Sequence, residues 1–306
     1  MNYTAIDIGG TFIKYARMNE YAEFLEKGKT ATPYDPALFF QAIKEILSNY
    51  PGSQGICISC PGLIDVETGD VFHGGSLHFL HGRNLKREIG AFCGLPVEIE
   101  NDAKCAGLAE AVLGNASGVQ DSIVVVLGTG IGGALIKDKR VLHGKHLMAG
   151  EFSWIIPDLD RSYVCDPAKH ALLFREVSVK ALLEKVSVLK GIPVSGISGE
   201  KVYQWAAGGD EDCRRVIQEF YRILAVQLAN LQHIFDPEVI CIGGGISREP
   251  GLLGSIQSAV DGVYREYGLK MAKPSLKLCK FLNDSNLIGA LCHFLQRNPI
   301  KKETAV

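Results

Sequence analysis

The sequence predicts an α/β protein built from two similar lobes, and three observations carry that expectation. Short apolar strands alternate with amphipathic helices through the first half of the chain. One local pattern occurs twice, an apolar strand, a glycine-and-threonine turn and another strand: AIDIGGTFIKYA, then VVVLGTGIGGALI. The echo has a spacing of roughly 120 residues, far longer than a solenoid repeat. Finally, 306 residues are more than one compact core usually holds.

In order, Tyr3–Ile8 and Ile13–Met18 read as strands around Gly9-Gly10-Thr11, with Tyr21–Lys27 as a third. Pro36–Ser48 has helical apolar spacing with proline at its start. Gly55–Ser59 reads as a buried strand stopped by Pro61-Gly62, Leu85–Phe92 as a helix and Val97–Ile99 as a strand. Ala103–Leu113 is a small-residue helix ended by Gly114. The pattern restarts with strands Ser122–Leu127 and Ala134–Lys137. Helices follow at Pro167–Lys190, Lys201–Ala206 and Glu211–Ile234, then strand Val239–Ile242, then helices Leu252–Tyr267 and Ser285–Gln296. The tail from Asn298 is polar and expected to fray. The expected lobes are residues 1–115, completed by the C-terminal helix 284–306, and residues 116–283. Two such lobes would place their glycine turns on opposite walls of one cleft, where small-molecule sites prefer to lie.

Composition narrows the function. The net charge is -2 and no basic stretch stands out, which argues against nucleic acid or an anionic membrane as partner. Met1 to Thr4 lead directly into an apolar strand with no basic leader, and no apolar run reaches the roughly 20 residues of a membrane helix. The nine cysteines are scattered and read as reduced thiols of a cytoplasmic protein. Cys57 and Cys60 form a Cys-x-x-Cys pair at a strand end without a second pair to match, and are read as core. The histidines show no metal-ligand spacing and are read as loop or surface residues, with His143 and His146 expected near the cleft.

Five clusters can carry chemistry. In Asp7-x-Gly9-Gly10-Thr11, glycine lets backbone reach positive φ and approach a ligand, and successive N–H groups can cradle phosphate oxygens. Asp7 could hold the water shell of Mg²⁺; a hairpin with a capping aspartate is the plainer alternative. Gly128-Thr129-Gly130-x-Gly132-Gly133 is a second such turn, followed by a strand rather than the helix of a dinucleotide fingerprint. Gly243-Gly244-Gly245 leads from a strand to a helix, where exposed backbone could pack against adenine and ribose. Glu100-Asn101-Asp102-Ala103 opens a helix: Asp102 can accept a hydroxyl proton and Asn101 can orient a sugar, or one of them simply caps the helix. Glu151, beside Gly150, could accept bonds from vicinal hydroxyls or be a surface carboxylate.

Taken in order, IDIGGT, ENDA, LGTGIGGA and ICIGGGIS resemble the phosphate, catalytic, second phosphate and adenosine motifs of the ROK family of sugar kinases and sugar-responsive repressors. The resemblance runs nearly end to end. It implies a two-lobed actin-like ATPase fold with ribonuclease H-like lobes, and ATP and Mg²⁺ as cofactors. It makes Asp102 the base and puts Asn101 and Glu151 on the sugar; Trp154, at the position of a family histidine, either joins the sugar site or merely fills volume. Asp7, Gly9, Gly10, Thr11, Gly128, Thr129 and Gly130 would serve phosphate and metal, with Asp7 reaching Mg²⁺ through water. Gly244 and Gly245 would serve the nucleoside, and Lys14 also stands at a family-typical position. A homodimer is expected.

The departures are informative. Many members carry histidine where this chain has Trp154, and follow it with a zinc-binding cysteine cluster; here only Cys165 remains, out of frame. No structural zinc is expected, and the pattern looks like the zinc-free branch that includes β-glucoside kinases. The distal sugar-binding glutamate has no clear equivalent: Glu176 is near, but the family frame puts Phe174 there. The expected reaction is phosphorylation of a hexose or hexose derivative at O6. The alternative is a non-catalytic sugar-sensing regulator without a DNA-binding domain, since only six residues precede Asp7. A filament-forming or chaperone-like ATPase would need insertions that are not seen.

Overall fold

A computed structural model describes residues 1–157 and 172–299. In chain order the first part forms β1 (Asn2–Ile8), β2 (Phe12–Asn19), β3 (Phe24–Ala31), α1 (Pro36–Ser48), β4 (Ile56–Cys60), β5 (Leu63–Ile64), β6 (Asp70–His73), β7 (Arg83–Asn84), α2 (Leu85–Cys93), β8 (Val97–Asn101), α3 (Asp102–Leu113), β9 (Ser122–Leu127), β10 (Ile131–Lys137) and β11 (Arg140–Val141). The second part holds α4 (Leu173–Glu176), α5 (Val179–Lys190), α6 (Gly199–Ala207), α7 (Glu211–Phe235), β12 (Val239–Gly243), α8 (Leu252–Glu266), β13 (Leu276–Leu278) and α9 (Ser285–Arg297).

The chain divides into two compact units. The first joins Met1–Gly114 and Arg140–Ala149 to the C-terminal stretch from Asn283. Its main sheet has the order β3-β2-β1-β4-β8. β1 and β2 run antiparallel, while β1, β4 and β8 are parallel. Strands covered on both faces must be apolar throughout, and β4 is buried along its whole length. One side is filled by Phe39, Ile43 and Ile46 of α1 with Leu85 and Ile89 of α2. On the other side α9 packs on α3 and lies against β1, β4 and β8. Gly289 lets the two helices approach: a Cβ there would sit 1.8 Å from the Cys105 carbonyl oxygen.

The second unit comprises Asn115–Lys139 and Gly150–Leu282. Here β9 pairs antiparallel with β10 and parallel with β12, and β12 pairs parallel with β13. The order β10-β9-β12-β13 repeats the order β2-β1-β4-β8, hairpin first and parallel strands after, so the sequence echo is an echo of topology. α7 supplies the core with Val216, Phe220, Leu224, Leu228 and Leu231 along one helical face.

Several features depart from the sequence expectation, among them the third strand, which starts at Phe24 rather than Tyr21 and runs to Ala31. Within the described part of Pro167–Lys190 the helix is broken into α4 and α5, because Ser178 is extended and its hydroxyl caps α5 by accepting from Ala181 N at 3.0 Å. The Val179 N–H there bonds the Gly128 carbonyl at 2.9 Å instead of continuing a helix. Strands β5, β6, β7, β11 and β13 are two to four residues long, too short for a period to register. Among the described residues no helix is long and apolar enough to cross a membrane.

Candidate active site

In the first unit the candidate residues sit where the parallel strands end. Such carboxyl ends are where open α/β sheets bind ligands. Asp7 lies at the end of β1, opposite Ser59 of β4, which is opposite Glu100 of β8. Registered residues on neighbouring strands point to the same face, so these three side chains form a row. Asp7 is buried, and its Oδ1 accepts from Ser59 Oγ at 2.9 Å and from Asn286 Nδ2 of α9 at 3.0 Å. Its Oδ2 lies 3.4 Å from Lys14 Nζ. Buried carboxylates survive only with such partners. Neither Ser59 nor Asn286 was visible as a site residue in the sequence, since each is brought to Asp7 from a distant segment.

The Gly9-Gly10-Thr11 turn is held by its neighbours: Thr32 Oγ1 donates to the Gly9 carbonyl at 2.6 Å and Tyr34 Oη to the Gly10 carbonyl at 2.9 Å. Neither glycine has positive φ, nor do Gly128 and Gly130, so the left-handed conformation expected of these turns is absent. Crowding against backbone explains Gly9, where an added Cβ would meet the Phe12 carbonyl oxygen at 2.9 Å; at Gly10 it would meet Ser76 Oγ at 2.9 Å, a side-chain atom that can turn away. At Gly128 and Gly130 an added Cβ meets open space. That turn is closed by Gly128 N donating to the Gly130 carbonyl at 2.9 Å, and Thr129 is exposed. Gly244 does need φ of 93°, and a Cβ there would lie 2.1 Å from the Leu127 carbonyl oxygen, whereas Gly245 is open.

Asn101 and Asp102 divide the helix-opening roles. Asn101 is the cap of α3, accepting from Lys104 N at 3.0 Å, and its Nδ2 donates to the Gly62 carbonyl at 2.9 Å. Asp102 is the first residue of α3 and half-buried, with Oδ1 accepting from Ala103 N at 2.8 Å. A helix N-terminus stabilises its negative charge. Cys60 lies near both Asp102 and Asp7; burial first, and these two carboxylates next, push its thiol well above the ordinary range. Cys57 is likewise fully buried and pushed up, so the Cys-x-x-Cys pair is core.

Glu100 is fully buried, and burial alone would raise its carboxyl. A bond from His143 and the nearby His293 outweigh burial, so Glu100 is held below the usual carboxylate range. The reading of every histidine as loop or surface fails at His293, which is buried in α9 beside Glu98 and Glu100.

In the second unit, Glu151 is half-buried on a stretch anchored to β10. Gly133 leaves room for the Phe152 ring, since a Cβ there would lie 2.2 Å from it. Ser153 Oγ donates to the Ile131 carbonyl. Trp154 ends this short 3-10 turn and is 62% exposed, so it fills no core volume. Glu176 bonds Lys185 Nζ at 2.8 Å, and Phe174 packs on the core of the second unit. Cys165 lies outside the described residues.

The pattern of the ROK family matches residues 3–297. This chain belongs to the ROK family. It is 33% identical to a β-glucoside kinase of Klebsiella pneumoniae, over 98% of each chain. Among solved structures, a ROK family protein from Streptococcus pneumoniae in complex with sucrose superposes with a TM-score of 0.87 at 32% identity, covering 97% of this chain and 99% of that one. A ROK family glucokinase from Streptomyces griseus in complex with glucose and AMPPNP gives 0.77 at 25% identity, covering 97% and 100%. The fold is therefore the two-lobed actin-like ATPase fold of ROK kinases.

Proposed function

We propose that this ROK protein is an ATP-dependent sugar kinase that transfers the γ-phosphoryl group to O6 of a hexose derivative, a β-glucoside among them. The observation that carries the proposal is the placement of Asp102. It opens α3 directly after the capping Asn101, at the same strand ends as Asp7. Phosphoryl transfer to a hydroxyl needs an acceptor for its proton, and an aspartate fills that role in other kinases.

Asn101 has one amide N–H committed to Gly62, and the other is directed by that tether, which suits it to orient a sugar hydroxyl. Glu151 supplies carboxylate acceptors for vicinal hydroxyls. The backbone N–H groups of Gly9, Gly10, Thr11, Gly128, Thr129 and Gly130 suit phosphate oxygens, and Gly244 and Gly245 the nucleoside. Asp7 fits a metal-water contact: Ser59, Asn286 and Lys14 hold its carboxylate in place, and Oδ2 keeps acceptor capacity. Mg²⁺ bound with ATP would neutralise charge on the β- and γ-phosphates. Catalysis on this reading is mostly positioning and charge stabilisation. A cytoplasmic homodimer is part of the same proposal.

Coupled ADP release from purified protein, across hexoses, amino sugars and β-glucosides with ATP and Mg²⁺, tests it. Turnover on at least one sugar is expected. Specific sugar binding without turnover on any would favour the sensing role instead.

A further inference from the structure

Glu100 is the most enclosed carboxylate beside the proposed catalytic aspartate, and phosphoryl transfer as described gives it no role. Its side chain is fully buried, and a buried charge is retained only when paired. Oε1 accepts from the backbone N–H of Asn101 at 2.7 Å. Oε2 lies 2.7 Å from His143 Nε2. A carboxylate accepts only, so His143 must donate from Nε2. His293 Nδ1 stands 3.6 Å from the same Oε2, beyond hydrogen-bond reach, and its buried Nε2 has no hydrogen-bond partner. His143 is therefore the side chain that satisfies this end of Glu100.

His143 also begins a tight loop. Its carbonyl accepts from Ala149 N at 3.1 Å, and Leu147 N reaches the Gly144 carbonyl at 3.3 Å. Gly144 and Leu147 have positive φ, 75° and 63°. A leucine in that region is strained and persists only where its surroundings hold it. The loop ends at Ala149, two residues before Glu151 in the sequence.

We propose that Glu100 and His143 are positioning residues for sugar phosphorylation: their bond fixes the strand end that carries Asn101 and Asp102 and the base of the loop that leads to Gly150-Glu151. Glu100 acts through the Asn101 backbone on one side and through His143 on the other. Neither side chain touches the reacting atoms. The inference rests on the kinase reading above and deepens it, since it assigns the geometry of the base to a bond outside the recognised motif chemistry.

The test compares wild type with His143→Ala, His143→Gln and Glu100→Gln, reading kcat, KM for sugar, KM for ATP and thermal midpoint. Misplacing a reacting group by about 1 Å can cost about 10²-fold. His143→Ala is expected to lower kcat by about 10- to 10²-fold on that scale, with KM for ATP within about twofold of wild type. His143→Gln retains an N–H donor and should recover at least half of that loss on a logarithmic scale, with kcat compared at a temperature where both variants are fully folded. A Glu100→Gln protein that folds should fall in kcat like His143→Ala; if it does not fold, the two His143 variants decide. The proposal is overturned if His143→Ala keeps wild-type kcat, if its loss only follows the lost folded fraction, or if glutamine rescues nothing. A wild-type protein with no turnover on any sugar sinks the kinase reading first, and this proposal with it.

Discussion

The Ser59 hydroxyl donates to Asp7 Oδ1 at 2.9 Å across two parallel strands, and both side chains are buried. A hydrogen bond to a charged group contributes about 1.5–3 kcal/mol. Ser59→Ala should therefore lower unfolding stability by about that amount, measured by urea denaturation. It should also weaken turnover by loosening Asp7. A loss below about 0.5 kcal/mol, the scale of an ordinary surface change, would mean that Asn286 and Lys14 hold Asp7 without it.

Asn101 serves both the helix and, on the proposed function, the sugar. Losing an N-cap costs about 0.5–2 kcal/mol, and Asn101→Ala should show that in the melt. Asn101→Asp keeps the capping oxygen but loses the N–H to Gly62. The new charge is buried between Glu100 and Asp102, so the melt should fall here too, and KM for sugar should rise severalfold. Equal KM values for wild type and Asn101→Asp would remove Asn101 from the sugar site.

Trp154 is exposed, and by the family resemblance it would stand where zinc-bearing members have histidine. An indole offers a broad apolar face and one donor, which suits sugar C–H surface or an aglycone. Wild type should use a β-glucoside such as cellobiose at least as well as glucose by kcat/KM, and Trp154→His should shift the ratio toward glucose. A ratio unchanged by the substitution would take Trp154 out of specificity.

His293 ties stability to pH. Burial, partly offset by Glu100 and Glu98 and reinforced by Arg297 and His143, holds its imidazole below the ordinary range. A depressed group stabilises the fold fully above its unfolded pKa, about 6.5 for histidine, and that contribution is lost as pH falls through the folded value. Glu100 is also depressed, and its contribution is lost only at more acidic pH. The unfolding free energy from urea titrations should therefore fall as pH drops from 7.5 to 5.5, by at most about 1.4 kcal/mol per pH unit for one proton. His293→Gln should flatten that slope; parallel slopes for both proteins would contradict it.

Much of this was legible in the chain. The glycine turns, the strand ends and the opening of α3 are local features, written in a few adjacent residues such as Asp7 to Thr11 and Glu100 to Ala103. The partners of those residues were not. Ser59, Asn286 and His143 reach Asp7 and Glu100 through strand register and through α9, which returns from the far end of the sequence. Such pairings have no sequence period. Glu100 looked like one more polar residue of a motif, yet it is completely buried. Positive φ was expected at the first two glycine turns and occurs at Gly244 instead; at Gly9 crowding against backbone rather than handedness selects glycine. The break before α5 was hidden because Ser178 interrupts an otherwise helical apolar pattern.

The most direct test of the kinase reading is turnover by Asp102→Asn on the best sugar of the panel, measured with sugar and nucleotide binding by calorimetry. Removing a base typically costs about 10²–10⁴-fold in rate. The expected result is a folded protein whose kcat falls by that factor while both dissociation constants stay within a few-fold of wild type. An Asp102→Asn protein that folds, binds and turns over at the wild-type rate would contradict the assignment of Asp102 as the proton acceptor.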